Sequence, residues 1–318
     1  MDIKVIDGHI DTLLALKQQG RTFSQRSDKG HCDLHRMKEG NVSAALFAIW
    51  PGMTKKNLIN GMDAWFKLLN NPENQLYHIK NIDDFSKAEN SKKIGAILHF
   101  EGAGGIDKDF ALLRLGYQLG LRSMGLSWSN VNKFATGALF EQEQEDRGLT
   151  ELGKELLHTG QKMGITIDVS HLNDPSFWDA IEITRKPLIA SHSNCRSICS
   201  HQRNLTDKQI IAIHEKHGTI GLNLSVIFLS EEHKKTKIPV ELPFEVLKSH
   251  IDHIVKITDI NTVAIGTDFD GTTVPTNLSG VNDLPLFFNY LLENGYSEQD
   301  LKKLGSENLL RVFKDTWI

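Results

Sequence analysis

Apolar and polar positions along the chain switch repeatedly between two periods. Eight short runs rich in β-branched residues have the length of strands: VIDGHID (5–11), VSAALFAIW (42–50), IGAILHFEG (94–102), LRSMGLSW (121–128), ITIDVSH (165–171), PLIASHS (187–193), TIGLNLS (219–225) and TVAIGTDFD (262–270). Several are apolar without alternation, as strands covered on both faces must be. Stretches of helical period intervene, among them AWFKLLNN, FALLRLGYQLG, TELGKELLHTGQKMG, PSFWDAIEITR, TDKQIIAIHEKHG and PFEVLKSHIDHIVKI. Thr150, Asp174 and Thr206 stand where N-caps are expected, and Gly120, Gly164 and Gly218 follow helix ends. Strand alternating with helix predicts a parallel sheet with right-handed crossovers, and eight units predict a closed (β/α)8 TIM-type barrel more than an open doubly wound sheet. No G-x-G-x-x-G fingerprint supports a dinucleotide fold. Polar insertions near 20–31, 72–92, 129–148 and 228–242 read as elaborated loops, since periodic elements resume after each one. The expectation is one domain spanning residues 1–318.

Composition narrows the class. The 318 residues are 40% hydrophobic and 24% charged, which is ordinary for a globular chain with a sizeable core. The balance of 36 basic against 40 acidic residues, without a basic stripe or interleaved aromatics, argues against nucleic acid as a partner. Asp2, Asp7, His9 and Asp11 interrupt the region where a signal peptide needs an apolar core, and the end RVFKDTWI is no lipid-anchor tail, so a cytoplasmic protein away from membranes is expected. Three cysteines fit a reducing compartment better than a disulfide framework. Cys195 and Cys199 fall beside His192 and His201, but a structural zinc knuckle needs a second distant pair, and Cys32 alone cannot supply it.

Candidate chemistry gathers at the strand ends, where barrels of this kind build their active sites. The first strand ends in His9 and Asp11, two residues apart and so on one side of the strand; the third ends in Glu101, the fifth in His171, the sixth in His192, and the eighth in Asp268 and Asp270. Any one of these alone reads as a satisfied core polar group. Three histidines and several carboxylates on one rim read as metal ligands, because imidazole with carboxylate suits zinc and a shared carboxylate bridges a metal pair. His158, His214, His217, His250 and His253 fall on helices and are left as solvated or helix-face residues.

These motifs resemble the membrane (renal) dipeptidase family, relatives of the amidohydrolase barrels, over nearly the whole length. The resemblance is carried by DGHIDTL (7–13), HFEGAGGI (99–106), RGLTELGKELL with IDVSHLND through 174, PLIASHSNCRSICSHQRNLTD (187–207) and IGTDFDG (265–271). It implies a binuclear zinc site in which His9 and Asp11 hold one ion, His171 and His192 hold the other, and Glu101 bridges both. It also implies that Asp268 is the acid/base, that Arg203 grips the substrate carboxylate, and that the enzyme is a homodimer. Where many members place a histidine just after strand four to contact the substrate, LSWSNVNKFATG puts Trp128 at or near that position, with Asn130 and Asn132 as nearby hydrogen-bond donors. The family's signal peptide and lipid anchor have no counterpart, which leads to the expectation of a soluble enzyme.

The implied reaction is hydrolysis of a dipeptide by a hydroxide bridging two zinc ions, with Asp268 carrying the proton from nucleophile to departing amine. The planar fork of Arg203 suits a free α-carboxylate just beyond the scissile bond. Rival readings are a related metal-dependent barrel hydrolase acting on other amides, lactones or esters, and a non-catalytic barrel that uses zinc for stability.

Overall fold

The computed structural model describes residues 3–138 and 146–318. Among the described residues nine strands run parallel: β1 (Val5–Ile10), β2 (Val42–Ile49), β3 (Leu76–His78), β4 (Ile94–Phe100), β5 (Leu121–Gly125), β6 (Thr166–Asp168), β7 (Ile189–Ala190), β8 (Thr219–Leu222) and β9 (Val263–Ile265). Pairing runs β2-β1-β9-β8-β7-β6-β5-β4, and β2 also pairs with β4, so eight strands close a (β/α)8 barrel with helices around it. The ninth, β3, lies outside the ring on β4. Each of the eight apolar runs contains one barrel strand. β1 and β4 are buried along their whole lengths, which explains why their sequences do not alternate.

Departures from the sequence reading have local causes. The segment 72–92, expected as a loop, contains a 3-10 turn (Pro72–Asn74), β3 and a helix (Asp83–Asn90). That helix buries only Asp84 and Ala88. So few inward residues leave a weak periodic signal. Thr150 and Thr206 cap their helices through Gly153 N and Gln209 N. At the third predicted cap, Asn173 instead accepts from Ser176 N, and Asp174 is free to take both Nη atoms of Arg196 at 2.9 Å. Gly120 and Gly164 turn left-handed, but before Gly218 it is His217, at φ 54°, that does so. Part of the predicted loop 129–148, residues 139–145, lies outside the described residues.

One close approach inside the barrel matters for the site. An ideal β-carbon at Gly8, Gly221 or Gly266 would lie 2.7, 2.0 or 1.8 Å from the Ser191 carbonyl oxygen. Only glycine lets three strands close on the backbone that carries His192. Among the described residues no helix is long and apolar enough to cross a membrane.

Candidate metal centre

The carboxyl ends of five strands bring their side chains to one buried cluster. His9 Nε2 lies 3.6 Å from Asp11 Oδ2 and 3.4 Å from Glu101 Oε2. The other Glu101 oxygen, Oε1, lies 2.9 Å from His171 Nε2 and 3.7 Å from His192 Nε2. His171 Nε2 and His192 Nε2 are themselves 2.9 Å apart. Glu101 thus stands between two donor groups and turns one oxygen to each. Asp268 joins from the segment after β9, within 4.8 Å of ligand atoms of His9 and His192.

Backbone geometry aims these groups. His171 and Asp268 adopt φ of 69° and 61°, a left-handed conformation that costs residues with a β-carbon about 1–3 kcal/mol and concentrates at functional sites. Hydrogen bonds hold the turns: Asp268 N donates to His9 O at 3.0 Å and Ala138 N to His171 O at 2.5 Å. Asp7, wholly buried, accepts from His9 N, Thr267 N and Thr267 Oγ1, which ties β1 to the strand end that carries Asp268. Asn223 Nδ2 donates to Asp268 Oδ2 at 3.0 Å, and Ser129 Oγ meets His171 Nδ1 at 3.1 Å.

Electrostatics of the side chains alone point to a cation. Burial pushes Glu101 up to about 7, with His9 opposing and Asp11 adding to the rise. Burial likewise pushes Asp268 up to about 7, opposed by His9 and reinforced by Asp11 and Glu101. His9 runs against its own burial: Glu101 and Asp11 hold it well above the usual imidazole range. His171 and His192 lie well below it, through burial and then the charges of Arg203 and His9. Of the buried polar atoms, His9 Nδ1 and Nε2, Asp11 Oδ1 and Glu101 Oε2 have no hydrogen-bond partner among the described residues. Imidazole and carboxylate donors that are packed together, desolvated and in part unpaired suit a metal cation, so the residues fit a metal.

A cavity of about 170 Å³ opens over this floor. Asp11, Glu101, His171 and Asp268 face it, and Leu14, Trp50, Trp128, Ile227 and Phe228 wall it. Trp128 therefore sits at the site, its ring 5.9 Å from that of His171 and 5.4 Å from that of Trp50. Arg203 is buried behind Phe228. It donates from Nη1 to Ser193 Oγ and from Nη2 to His192 O, both at 2.8 Å, and Nε has no hydrogen-bond partner among the described residues. Burial lowers its pKa to about 10 against the pull of Asp268, Asp168 and Glu101. Asn130 does not line the cavity; its Nδ2 lies 3.9 Å from Met53 Sδ. Asp270, read from the sequence as a rim carboxylate, turns away to accept from Arg21 Nη2, Thr12 Oγ1 and His31 N at 2.6 to 2.7 Å. Cys195 and Cys199 place their thiols against the carbonyls of His250 and Ile227.

Sequence reading passed over Asp7, His99, Asp168, Ser191 and Asn223. His99 lies beneath the cluster, with its ring edge-on to His9 at 5.3 Å and its Nε2 3.6 Å from Asp168 Oδ2. The available signal was polar residues embedded in apolar strand runs, at positions two before Glu101 and three before His171.

Comparison with known proteins identifies the family. The profile described as membrane dipeptidase, peptidase family M19, matches residues 1–317. An uncharacterized protein in the pqqA 5′ region of Klebsiella pneumoniae is 35% identical over 237 residues, covering 74% of this chain and 86% of its own. An uncharacterized dipeptidase of Schizosaccharomyces pombe is 28% identical over 340 residues, covering 98% and 80%. Among solved structures, a dipeptidase described as an M19 metallopeptidase superposes with a TM-score of 0.91 at 30% identity, over 100% of this chain and 99% of its own. A metallopeptidase from Rhodobacter sphaeroides, liganded with a phosphinate mimic of the dipeptide L-Ala-D-Ala, gives 0.91 at 29% over the whole of both chains. With a family match from end to end and the same barrel in its relatives, the chain belongs to the membrane dipeptidase family, peptidase family M19.

Proposed function

We propose that this metal-dependent dipeptidase works with two zinc ions, one held by His9 and Asp11, the other by His171 and His192, with Glu101 shared between them. The observation that carries this reading is the split of Glu101, whose Oε2 faces His9 while Oε1 faces His171 and His192. Bound zinc supplies Lewis acidity toward the peptide carbonyl and toward water. The chain does the rest. Asp268, on the cavity and oriented by Asn223, takes the proton of the attacking water and returns it to the amine nitrogen that leaves. Glu101 takes its catalytic part as the ligand shared between the two ions. Trp50, Trp128 and Phe228 form an apolar wall that excludes bulk water and strengthens charge interactions at the floor.

Arg203 completes the reading as the group that attracts a free substrate carboxylate. Arg203 is not among the residues that line the cavity, and the support for its role is the unpaired hydrogen on its buried Nε. Its two existing bonds leave further N–H hydrogens for a ligand. Substrates are therefore dipeptides, and the Rhodobacter sphaeroides relative's bound dipeptide mimic supports the same class. The proposal also includes a single catalytic domain, a homodimeric assembly and a cytoplasmic setting, the last supported by three free buried cysteines. Metal analysis of active enzyme together with a dipeptide panel tests the core of it. Two zinc ions per chain and cleavage lost to chelation and restored by zinc are expected; active enzyme without metal refutes it.

A further inference from the structure

The proton arrangement beneath His192 is fixed by one buried carboxylate. Asp168 closes β6, is 2% exposed, and accepts three hydrogen bonds: Oδ1 from Ser170 N and Ser191 N, each at 2.9 Å, and Oδ2 from Ser191 Oγ at 2.5 Å. Ser191 Oγ is also 2.7 Å from His192 Nδ1. A hydroxyl has one proton, and a carboxylate can only accept. The Ser191 proton is thus committed to Asp168, so toward His192 Nδ1 the oxygen acts as acceptor. Nδ1 then carries the imidazole proton. Nε2 presents a lone pair to the side where His171 Nε2 and Glu101 Oε1 converge.

We infer that Asp168 is a positioning residue which, through Ser191, holds His192 in the one tautomer able to bind a cation through Nε2. The inference rests on the proposed role of His192 as a metal ligand. Outer partners of ligating histidines set tautomer and ring orientation, and their loss weakens metal binding about 10- to 100-fold. The chain here differs from a direct carboxylate–histidine contact in having a hydroxyl between. A hydroxyl can reverse its direction, so the order of donors along the chain depends entirely on the residue at its far end.

That dependence yields a distinctive test. Asp168→Asn keeps the size and one acceptor oxygen for the two backbone N–H groups, but turns an NH2 toward Ser191 Oγ. The serine must then accept from it, and its own proton swings to His192 Nδ1. The imidazole is left with its proton on Nε2, pointed into the ligand position. Adding Ser191→Ala removes the misdirected donor and frees the ring to shift its proton back.

The experiment titrates zinc chloride into chelator-treated full-length protein against a chromophoric chelator, with imidazole nitrogen NMR on the same metal-free samples. Wild type is expected to bind two ions and to show His192 protonated at Nδ1. Asp168→Asn is expected to keep one tight ion, weaken the other on the order of 100-fold, and show His192 protonated at Nε2. The double variant should regain about tenfold of the lost affinity, whereas simple structural damage makes the double variant worse than either single one. Asp168→Asn with wild-type affinity for both ions, or a double variant no better than Asp168→Asn, overturns the inference. Should Asp168→Asn not fold, the wild-type spectrum decides, because a proton on Nε2 there overturns it equally. A wild type that binds fewer than two ions defeats the binuclear reading itself, and the nitrogen spectrum still decides the tautomer.

Discussion

Gly271 faces the cavity beside two of the groups that matter most, and the smallest side chain added there has a calculable effect. An ideal β-carbon at Gly271 would lie 1.9 Å from Asp11 Oδ2 and 2.6 Å from Asp268 Oδ1, both below the 3.0 Å that real β-carbons respect. Its φ is outside the left-handed region, so backbone strain does not enter. In Gly271→Ala the two carboxylates must retreat, Asp11 by about 1 Å, and a displacement of that size in a reacting geometry costs about 100-fold in rate, equivalent to about 2.7 kcal/mol of barrier. Because the obstructing atoms are tips of side chains at a cavity, folding should suffer little. Gly266→Ala is the opposite case. Its β-carbon would lie 1.8 Å from the Ser191 carbonyl oxygen, which is backbone and cannot step aside, so overpacking of about 1–3 kcal/mol or more is expected. Steady-state kcat/KM on a dipeptide, zinc content, and thermal melts of metal-free protein separate the two. A Gly271→Ala enzyme with wild-type kcat/KM and zinc content refutes the placement of Asp11 and Asp268 at the reacting centre.

Three further outcomes follow from the same geometry. Asp268→Asn should keep its zinc and lose about 10²- to 10⁴-fold in kcat, while Asp270→Asn, which breaks a buried ion pair with Arg21, should unfold about 3–5 kcal/mol more easily; melts and single-turnover rates show whether the two aspartates are assigned correctly. Wild type should cleave a dipeptide about 10- to 100-fold better in kcat/KM than its C-terminal amide, and Arg203→Ala should erase that ratio, since a charge-assisted contact is worth about 1.5–3 kcal/mol; equal wild-type rates remove the carboxylate role. Glu101 and Asp268 have folded values of about 7, raised from 4.5 and 3.8, so their contribution to metal-free stability is complete below about pH 4 and is lost as pH rises through 7. Zinc added to chelated protein near pH 6 should accordingly release protons, as measured by calorimetry in two buffers.

The barrel and five candidate ligands were legible in sequence because two independent regularities coincide. Strands buried on both faces leave uninterrupted apolar runs, and a barrel site puts its polar residues where those runs stop. His9, Asp11, Glu101, His171 and His192 each obey both. Asp268 and Asp270 show the limit, since they stand two apart in TDFDG with the same local signal. What separates them is Arg21, 249 residues away, which the fold brings to 2.6 Å from Asp270. Asp168 was passed over for the opposite reason. Within ITIDVSH it reads as a core polar group satisfied by its neighbours, and it is one, but its third bond continues to a ligand through Ser191. Asn130 sits close to Trp128 in sequence, yet a turn in which Ser127 Oγ donates to Asn130 O carries its side chain toward Met53.

Ser191 ties barrel closure to ligand geometry. Its carbonyl is the surface on which Gly8, Gly221 and Gly266 pack, its N–H and hydroxyl both bond Asp168, and its Oγ faces His192 Nδ1. A ligand on a loop would inherit the loop's mobility, whereas His192 follows a residue clamped from inside the barrel and from β6 at once. Of the strained members of the site, Asp268 follows Thr267, whose N–H and hydroxyl both bond Asp7 of β1, whereas His171 takes Ala138 N on its carbonyl and Ser129 Oγ on its ring. Rigidity is therefore unequal across the cluster. The two histidines proposed to share one ion differ in kind, with His192 set by the barrel and His171 by the loop that also carries Ser129 and Trp128. Substitutions in the Trp128 loop should reach the metal through His171, and substitutions in the barrel interior should reach it through His192.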